Sequence, residues 1–387
     1  MSRLLRGTRV LVLGSGVTLT GVLRILGADG ADVLALPDVQ DFARRSRWYR
    51  AAPASLAQLT GERLATALAV LPPGIVLMPC ADSWVRAVAS LPVGLRERYP
   101  SCLSPAPALD TLVDKARFGE ILARLGLPHP LTRPVAAAAD LEPVSDAALE
   151  HSFLKPTDSQ RFFARYQVKA FRVAGRADAV QRLTTCVADG FSLVLQEYVP
   201  GPPTNHYFVD GFVDRGGTIR ALFARRRLRM FPPDFGNSTL MVSVPRTEVG
   251  DAPKTLARLF EELRYRGIFS AEFKQDARDG RFKLLEVNAR PWWYVEFAAR
   301  CGVDVCAMAV RDALGKPIET VDRYTVGRRC VYPYYDLSAV QVERAAGRLG
   351  LVAWARSWVG ATQPVFRWND PMPALGEVAA MIRRRLR

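Results

Sequence analysis

The 387-residue sequence predicts an α/β protein: an open parallel sheet with helices in its first third, and an α+β arrangement in the part that follows. Three observations predict this. Up to about residue 105, short apolar runs rich in β-branched residues alternate with helix-period segments, the signature of a parallel sheet. Beyond about residue 190, strand-like runs follow one another through glycine turns, the signature of antiparallel hairpins. The length, set against domains of roughly 100–200 residues, provides for two or three cores.

Residues Arg9 to Leu13 form an apolar run that enters Gly14, Ser15 and Gly16, and an apolar-periodic segment then continues to Leu26. This reads strand, tight turn, helix. Ala31 to Leu36 and Gly74 to Cys80 are further strands, with a helix over Leu64 to Leu71 between them. The glycine pattern G-S-G-x-x-x-x-G departs from the dinucleotide fingerprint, and no acidic partner for a ribose is well placed. The turn is therefore read as close helix–strand packing, with its helix N-terminus a candidate for a substrate carboxylate.

Pro100, Pro105 and Pro107 close this domain, and one helix is predicted from Asp110 to Gly126. An Ala- and Pro-rich linker covers Arg133 to Ala148, and Phe153 to Pro156 is a strand that ends at a lysine. Phe191 to Gly201 is a strand closed by Pro and Gly. Two hairpins follow, one turning at Gly216-Gly217 and one at Asp279-Gly280. Residues 295–315 read as an amphipathic helix, and the tail from 321 carries no clear pattern.

A hydrophobic fraction of 49% is ordinary for a globular chain, and no run approaches the roughly 20 apolar residues of a membrane-spanning helix. The start, MSRLLRGTRVLVLGSG, lacks a small-residue cleavage signal, so a cytoplasmic protein without a membrane span is expected. Six scattered cysteines (Cys80, Cys102, Cys186, Cys301, Cys306, Cys330) argue against a disulfide framework, and Cys301 and Cys306 read as buried helix residues. The formal charge of +15 raises nucleic acid as a partner. Its arginines are dispersed, however, and only seven of the 53 basic residues are lysines, so no nucleic-acid partner is expected. A lysine inside an apolar strand then stands out.

Glu272 lies inside GIFSAEFK, while Glu286 and Asn288 lie inside LLEVNAR, two residues apart and therefore on one strand face. Two carboxylates and an amide oxygen on paired strands suit Mg²⁺, which takes a few carboxylates together with phosphates. Strand-edge charges meeting surface arginines are the competing reading. Arg290 extends the same face and could clamp phosphoryl oxygens, or pair with Glu286 at a rim. Lys155 ends an apolar strand before Pro156, where its ammonium can meet phosphate as a point charge. Arg225 and Arg227, beside Arg226 and ahead of the loop LRMFPPDFGNSTLMVS, are candidate contacts for an anionic substrate. Trp292 and Trp293 are candidates for an apolar or ring-bearing substrate wall, or for core packing.

In this order the motifs resemble the ATP-grasp superfamily, in its branch of carboxylate–amine ligases and ATP-dependent carboligases. They are VLVLGSG, the Asp114-Lys115 pair, FLKP, QEYVPG, AEF with Glu272, and LEVNARPW, across roughly residues 8–318. The resemblance implies an N-terminal α/β domain over 1–110, a linker helix and small ATP-grasp subdomain over 111–200, a large subdomain with the metal site over 201–320, and a C-terminal extension over 321–387. It implies that Lys155 and Lys115 contact ATP phosphates and that Glu197 to Val199 offer backbone groups to the adenine. Gln196 and Tyr198 would shape that pocket. Asn205 or His206 would meet the ribose, although His206 alone reads as a surface histidine. Glu272, Glu286 and Asn288 would hold Mg²⁺, with Mn²⁺ as the alternative ion, and Arg290 would act on the γ-phosphoryl group.

One departure stands out. Lys155 to Ala174 contains no glycine, so Ser159, Gln160, Arg161 and Lys169 are expected over the phosphates in place of a backbone cradle, or else form a polar loop. The implied activity is amide-type C–N ligation of a small-molecule carboxylate and amine through an acyl phosphate, with ADP and phosphate released. The alternatives are a bicarbonate-dependent carboxylase of the same fold and a non-catalytic nucleotide-binding or basic interaction protein.

Overall fold

Strand β1 (Arg9–Leu13) pairs in parallel with β2 (Asp32–Ala35) and β4 (Val76–Pro79), and β2 pairs with β3 (Arg50–Ala51), giving the order β3-β2-β1-β4. This is a computed structural model, and it describes residues 4–37, 41–57, 59–157, 159–233 and 236–385. Alternate residues of β1 serve two cores. Val10 and Val12 pack with helix Gly16–Ala28, while Leu11 and Leu13 pack with Leu64, Leu68 and Tyr99 on the other face. Burial on both faces is why the strand is apolar throughout. Gly14 is required by close approach, since a Cβ there would sit 2.6 Å from that of Cys80.

The second sheet contains β5 (Thr132–Val135), β6 (Ser152–Pro156), β7 (Phe171–Arg172) and β8 (Leu193–Glu197), antiparallel in the order β5-β8-β6-β7. Strand β5 begins the stretch expected to be linker. Its Pro134 is tolerated because β5 is an edge strand. The single helix predicted from Asp110 is two helices, Ala106–Val113 and Lys115–Arg124. Asp114 is extended between them and caps the second, accepting from the amides of Ala116 (2.9 Å) and Arg117 (3.1 Å). The break puts Lys115 in the first turn of its helix.

The third sheet is built from β9 (His206–Val213), β10 (Ile219–Phe231), β11 (Asn237–Ser243), β12 (Gly267–Gln275), β13 (Phe282–Asn288) and β14 (Arg329–Val331). Its order is β13-β12-β9-β10-β11-β14, all antiparallel, with both expected hairpins formed. Helix Ala252–Leu263 buries Leu256, Leu259 and Phe260 in the core beside this sheet. The expected helix over 295–315 is broken into Val295–Arg300 and Val305–Ala313. Gly302 adopts φ +105° between them, and Asp304 caps the second through the Ala307 amide at 2.8 Å. All six cysteines are free, and Cys301 and Cys306 are buried.

The C-terminal tail is integral to the fold. Besides supplying β14, it ties the first sheet's helix to the third sheet through Arg24, whose side chain is fully buried. Arg24 bonds Asp370 (2.9 Å), Glu296 (3.2 Å) and the Val365 carbonyl (2.7 Å). Asp370 in turn accepts from Ser46 Oγ and the Arg47 amide, both at 2.8 Å. Among the described residues no helix is long and apolar enough to cross a membrane.

Candidate active site

The β12–β13 register sets Glu272 directly opposite Glu286, and Ser270 opposite Asn288. Two carboxylates in direct cross-strand positions repel unless cations compensate them. Glu272 is compensated by Arg227 (3.0 Å) and by His206 Nδ1 (2.8 Å). Burial pushes the Glu272 carboxyl up, but Arg227, His206 and Lys155 together hold it well below the usual carboxylate range. Burial, and then the Arg227 charge, bring His206 down to about 4. At neutral pH the ring is therefore neutral, and its Nδ1–H donates to an ionised Glu272. His206 is thus a buried partner of Glu272, not the surface histidine its sequence neighbourhood suggests.

Glu286 differs from its partner. Its hydrogen bond comes from the Asn288 side-chain amide, at 2.8 Å, and brings no formal charge. Lys169 Nζ bonds Asn237 Oδ1 at 2.9 Å and acts electrostatically on Glu272, Glu286 and Lys155. Lys115 reaches across from its helix to the Thr157 carbonyl at 3.1 Å, just beyond β6 and Lys155. Lys155 and Lys169 therefore act on the carboxylate pair of the third sheet, and Lys115 reaches the residue two beyond Lys155. Arg161 is turned elsewhere, bonding the carbonyls of Asp189 (3.1 Å) and Gly190 (3.2 Å) beyond helix Arg176–Ala188. The side chains of Ser159 and Gln160, expected beside it, lie outside the described residues, as do Asp234 and Phe235.

Arg290 forms a bidentate pair with Asp82, at 2.7 and 3.1 Å, and donates to Asn288 Oδ1 at 3.2 Å. Burial lowers its pKa, but Asp82 more than compensates and holds it above the ordinary value. Asp82 opens helix Asp82–Ala89 just beyond the carboxyl end of β4, where open parallel sheets present ligand-binding residues. That position is a signal the sequence itself carries. The Arg227–Glu272 pair was not legible, because it depends on registers between distant strands.

At the hinge, Gln196 Nε2 bonds Thr132 Oγ1 at 2.9 Å from a buried position on β8. The amides of Glu197 and Tyr198 bond the carbonyls of Leu131 (2.8 Å) and His151 (2.7 Å). Burial pushes the Glu197 carboxyl up. Arg278 and Lys283 reverse this and hold it below the usual range, tying the second sheet to the β12–β13 turn. The Tyr198 ring lies between Arg172 (4.7 Å) and Lys274 (4.6 Å). Asn205 Nδ2 bonds the Gln275 carbonyl at 3.1 Å.

Several residues expected as substrate contacts are buried in this structure. Arg225 pairs with Asp210 at 2.6 Å, with both side chains almost fully buried, so it is a core ion pair. Arg227 faces Glu272 and Ser238 Oγ (2.9 Å). Trp292 is a core residue, whereas Trp293 is only partly buried and meets Tyr332 and Tyr335 of the C-terminal tail at 5.9 and 6.1 Å. The helix N-terminus offered to a substrate carboxylate already has one, since the Gly16 amide bonds Asp41 at 2.7 Å.

Among the described residues no three His, Cys, Asp or Glu side chains gather as a metal cage. Mg²⁺ does not need one, because it binds through one or two carboxylates and keeps waters and phosphates as the other ligands. Glu286 fits such an ion best: it is ionisable, beside a second carboxylate, and directly hydrogen-bonded to an uncharged amide, with Lys169 and Arg290 acting on it electrostatically. Asn288 fits as a carbonyl donor, although its Oδ1 now accepts from Arg290.

A small antiparallel sheet tied by its hinge to a larger one, both following an open α/β domain, is the architecture of ATP-grasp proteins, and this chain has that fold. Crystal structures bear the fold out across most of the chain. N5-carboxyaminoimidazole synthetase from Staphylococcus aureus matches with a TM-score of 0.66, covering 89% of this chain and 88% of that one at 13% identity. An L-amino acid ligase from Bacillus licheniformis matches with a TM-score of 0.61, over 81% of this chain and 75% of that one at 16% identity. In sequence, the chain is 23% identical over 255 residues to D-aspartate ligase of Enterococcus faecium (strain Aus0004). That match covers 63% of this chain and spans 60% of the ligase's length. No family model matches the sequence.

Proposed function

We propose that this protein is an ATP-dependent carboxylate–amine ligase that works through an acyl phosphate. The observation that carries the reading is the ionised Glu272 set opposite Glu286, with Asn288 two residues further along β13, Arg290 just past the strand end bonded to Asn288, Lys155 acting on Glu272 and Lys169 on both carboxylates. The fold and the sequence likeness to a D-aspartate ligase support it.

In this reading Lys155, Lys115 and Lys169 bind the polyphosphate as point charges. The adenine takes the Val199 amide, since those of Glu197 and Tyr198 already serve Leu131 and His151. Glu286 and Asn288, with Glu272 behind them, would hold Mg²⁺, and the ion would neutralise charge on the transferring phosphoryl group. A substrate carboxylate oxygen attacks the γ-phosphorus, and the bond to ADP breaks. Arg290, fixed by Asp82, offers its remaining N–H groups to the phosphoryl oxygens as charge builds. The amine nitrogen then attacks the acyl carbon and loses a proton, and phosphate leaves. The residues position and stabilise; no side-chain nucleophile is required. The substrates are small molecules, and Trp293 with Tyr335 lines one side of their cleft.

A second reading draws on the neighbour named for carboxyamino chemistry: bicarbonate in place of the organic carboxylate, giving a carboxylated amine. ADP release measured with pooled carboxylic acids and amines, D-aspartate and other amino acids among them, against bicarbonate with the same amines, tests both. Release that needs an acid and an amine is expected. Release that needs bicarbonate alone with an amine selects the carboxylase, and no release under any pool leaves a nucleotide-binding protein.

A further inference from the structure

The last helix, Met372–Arg385, has its faces reversed for an element bathed in water. Its inward side is small or polar. A Cβ on Gly376 would lie 2.7 Å from Arg45 Cδ, Pro373 is buried, and Glu377 is directed to the Tyr332 hydroxyl. Its outward side holds the large apolar residues: Met372, Leu375, Val378 and Ile382 are between 45% and 57% exposed. Their spacing of three, three and four residues keeps them on one stripe. Trp368, just ahead of the helix, is 89% exposed. Single exposed hydrophobic residues are ordinary, whereas a contiguous stripe marks a surface that something covers.

The charge around the stripe selects the occupant. Arg383 is exposed at the end of the helix, and Arg44, Arg45 and Arg47 are exposed on and beside the turn Phe42–Arg45 against which the helix packs. The sequence adds Arg384, Arg385 and Arg387. The acids of this region point inward: Asp370 is buried against Arg24, and Glu377 is engaged by Tyr332. A basic rim around an apolar helical stripe, with a tryptophan at one end, matches the interface of an anionic bilayer, whose acyl boundary takes the stripe while its headgroups take the arginines. A two-fold pairing of copies through this face would set the arginine rim against itself. Nucleic acid would leave the stripe unmatched.

We propose that Met372–Arg385 docks this protein, without spanning, on anionic phospholipid surfaces. The test is sedimentation of the full chain with extruded vesicles of phosphatidylcholine alone or with one third phosphatidylglycerol. The wild type should pellet with the anionic vesicles at least about tenfold more than with neutral ones, and the difference should shrink as salt rises. Leu375→Ser/Val378→Ser/Ile382→Ser should lose the binding while its thermal midpoint stays near that of the wild type. If that variant does not fold, the salt dependence and the lipid dependence of the wild type still decide. Equal pelleting with both vesicle types overturns the proposal. So does undiminished binding by the folded triple variant, or a concentration-dependent dimer that the variant abolishes while its vesicle binding persists.

Discussion

Glu272 and Glu286 face each other across one pair of strands, yet their replacement by glutamine is expected to have opposite effects on stability. Glu272 is the carboxylate against Arg227, which is 4% exposed, so Glu272→Gln leaves a buried guanidinium without its counter-charge. Breaking a buried pair costs about 3–5 kcal/mol, and because glutamine keeps an accepting oxygen the low end, about 3 kcal/mol, applies. With an unfolding entropy of about 2.1 cal/mol/K per residue, 387 residues give about 0.8 kcal/mol/K, so the midpoint should fall by about 4 °C. Among the described residues Glu286 accepts a hydrogen bond from Asn288 alone, and its loss relieves repulsion with Glu272 worth up to about 1 kcal/mol, offset in part by its lost attraction to Lys169 and Arg290. Glu286→Gln should therefore leave the midpoint unchanged or raise it by about 1 °C. Both variants should lose about 100-fold or more in turnover, with added Mg²⁺ restoring part of it in Glu286→Gln. The assays are thermal denaturation without nucleotide and ADP release across a Mg²⁺ series. Equal midpoints for the two variants would refute the assignment of Arg227 to Glu272, and near-normal turnover in both would refute the metal site.

Lys155→Ala removes a point charge from the phosphate end of the cleft and should weaken ADP binding by about 10- to 100-fold, read as a lost nucleotide-dependent rise in thermal midpoint; an undiminished rise excludes Lys155 from the site. Stability should fall as pH drops from about 6.5 toward 4. The folded His206, brought down to about 4, stays neutral in that window while the unfolded histidine takes a proton. The depressed Glu272 extends the loss in the same direction below the ordinary carboxylate range. His206→Gln should flatten the slope by up to about 1.4 kcal/mol per pH unit, and an unchanged denaturant-unfolding profile would contradict this. Asp370→Ala removes one of the two carboxylates paired with the fully buried Arg24, leaving Glu296, and should cost about 3 kcal/mol in denaturant unfolding, whereas a loss below about 1 kcal/mol would mean that the tail is not a structural tie.

The elements whose periodicity is local were legible in the sequence: β1 with its turn and helix, β4, β6, β8 and the two hairpins. What escaped was decided by side chains reaching across the fold. Asp114 breaks a helix by capping the next one, and β14 is recognisable only because β11 pairs with it. At the site, the shared face of Glu286 and Asn288 follows from a two-residue period, whereas the pairing of Glu286 with Glu272 depends on a register shift between Glu272 and Phe273 that the Asp279-Gly280 turn alone does not give. Charge alone does not reveal the pairing of Arg225, because a sequence does not say which arginine meets a buried Asp210. The same applies to His206, whose burial depends on β9 lying inside the sheet between β12 and β10.

The acyl phosphate is the centre of the account, and hydroxylamine tests it most directly. With ATP, Mg²⁺ and the carboxylic acid that supports ADP release, but without the amine, hydroxylamine should attack the acyl carbon and yield the hydroxamate in step with ADP. Release of AMP and pyrophosphate in place of ADP would mean an adenylate intermediate and contradict the account.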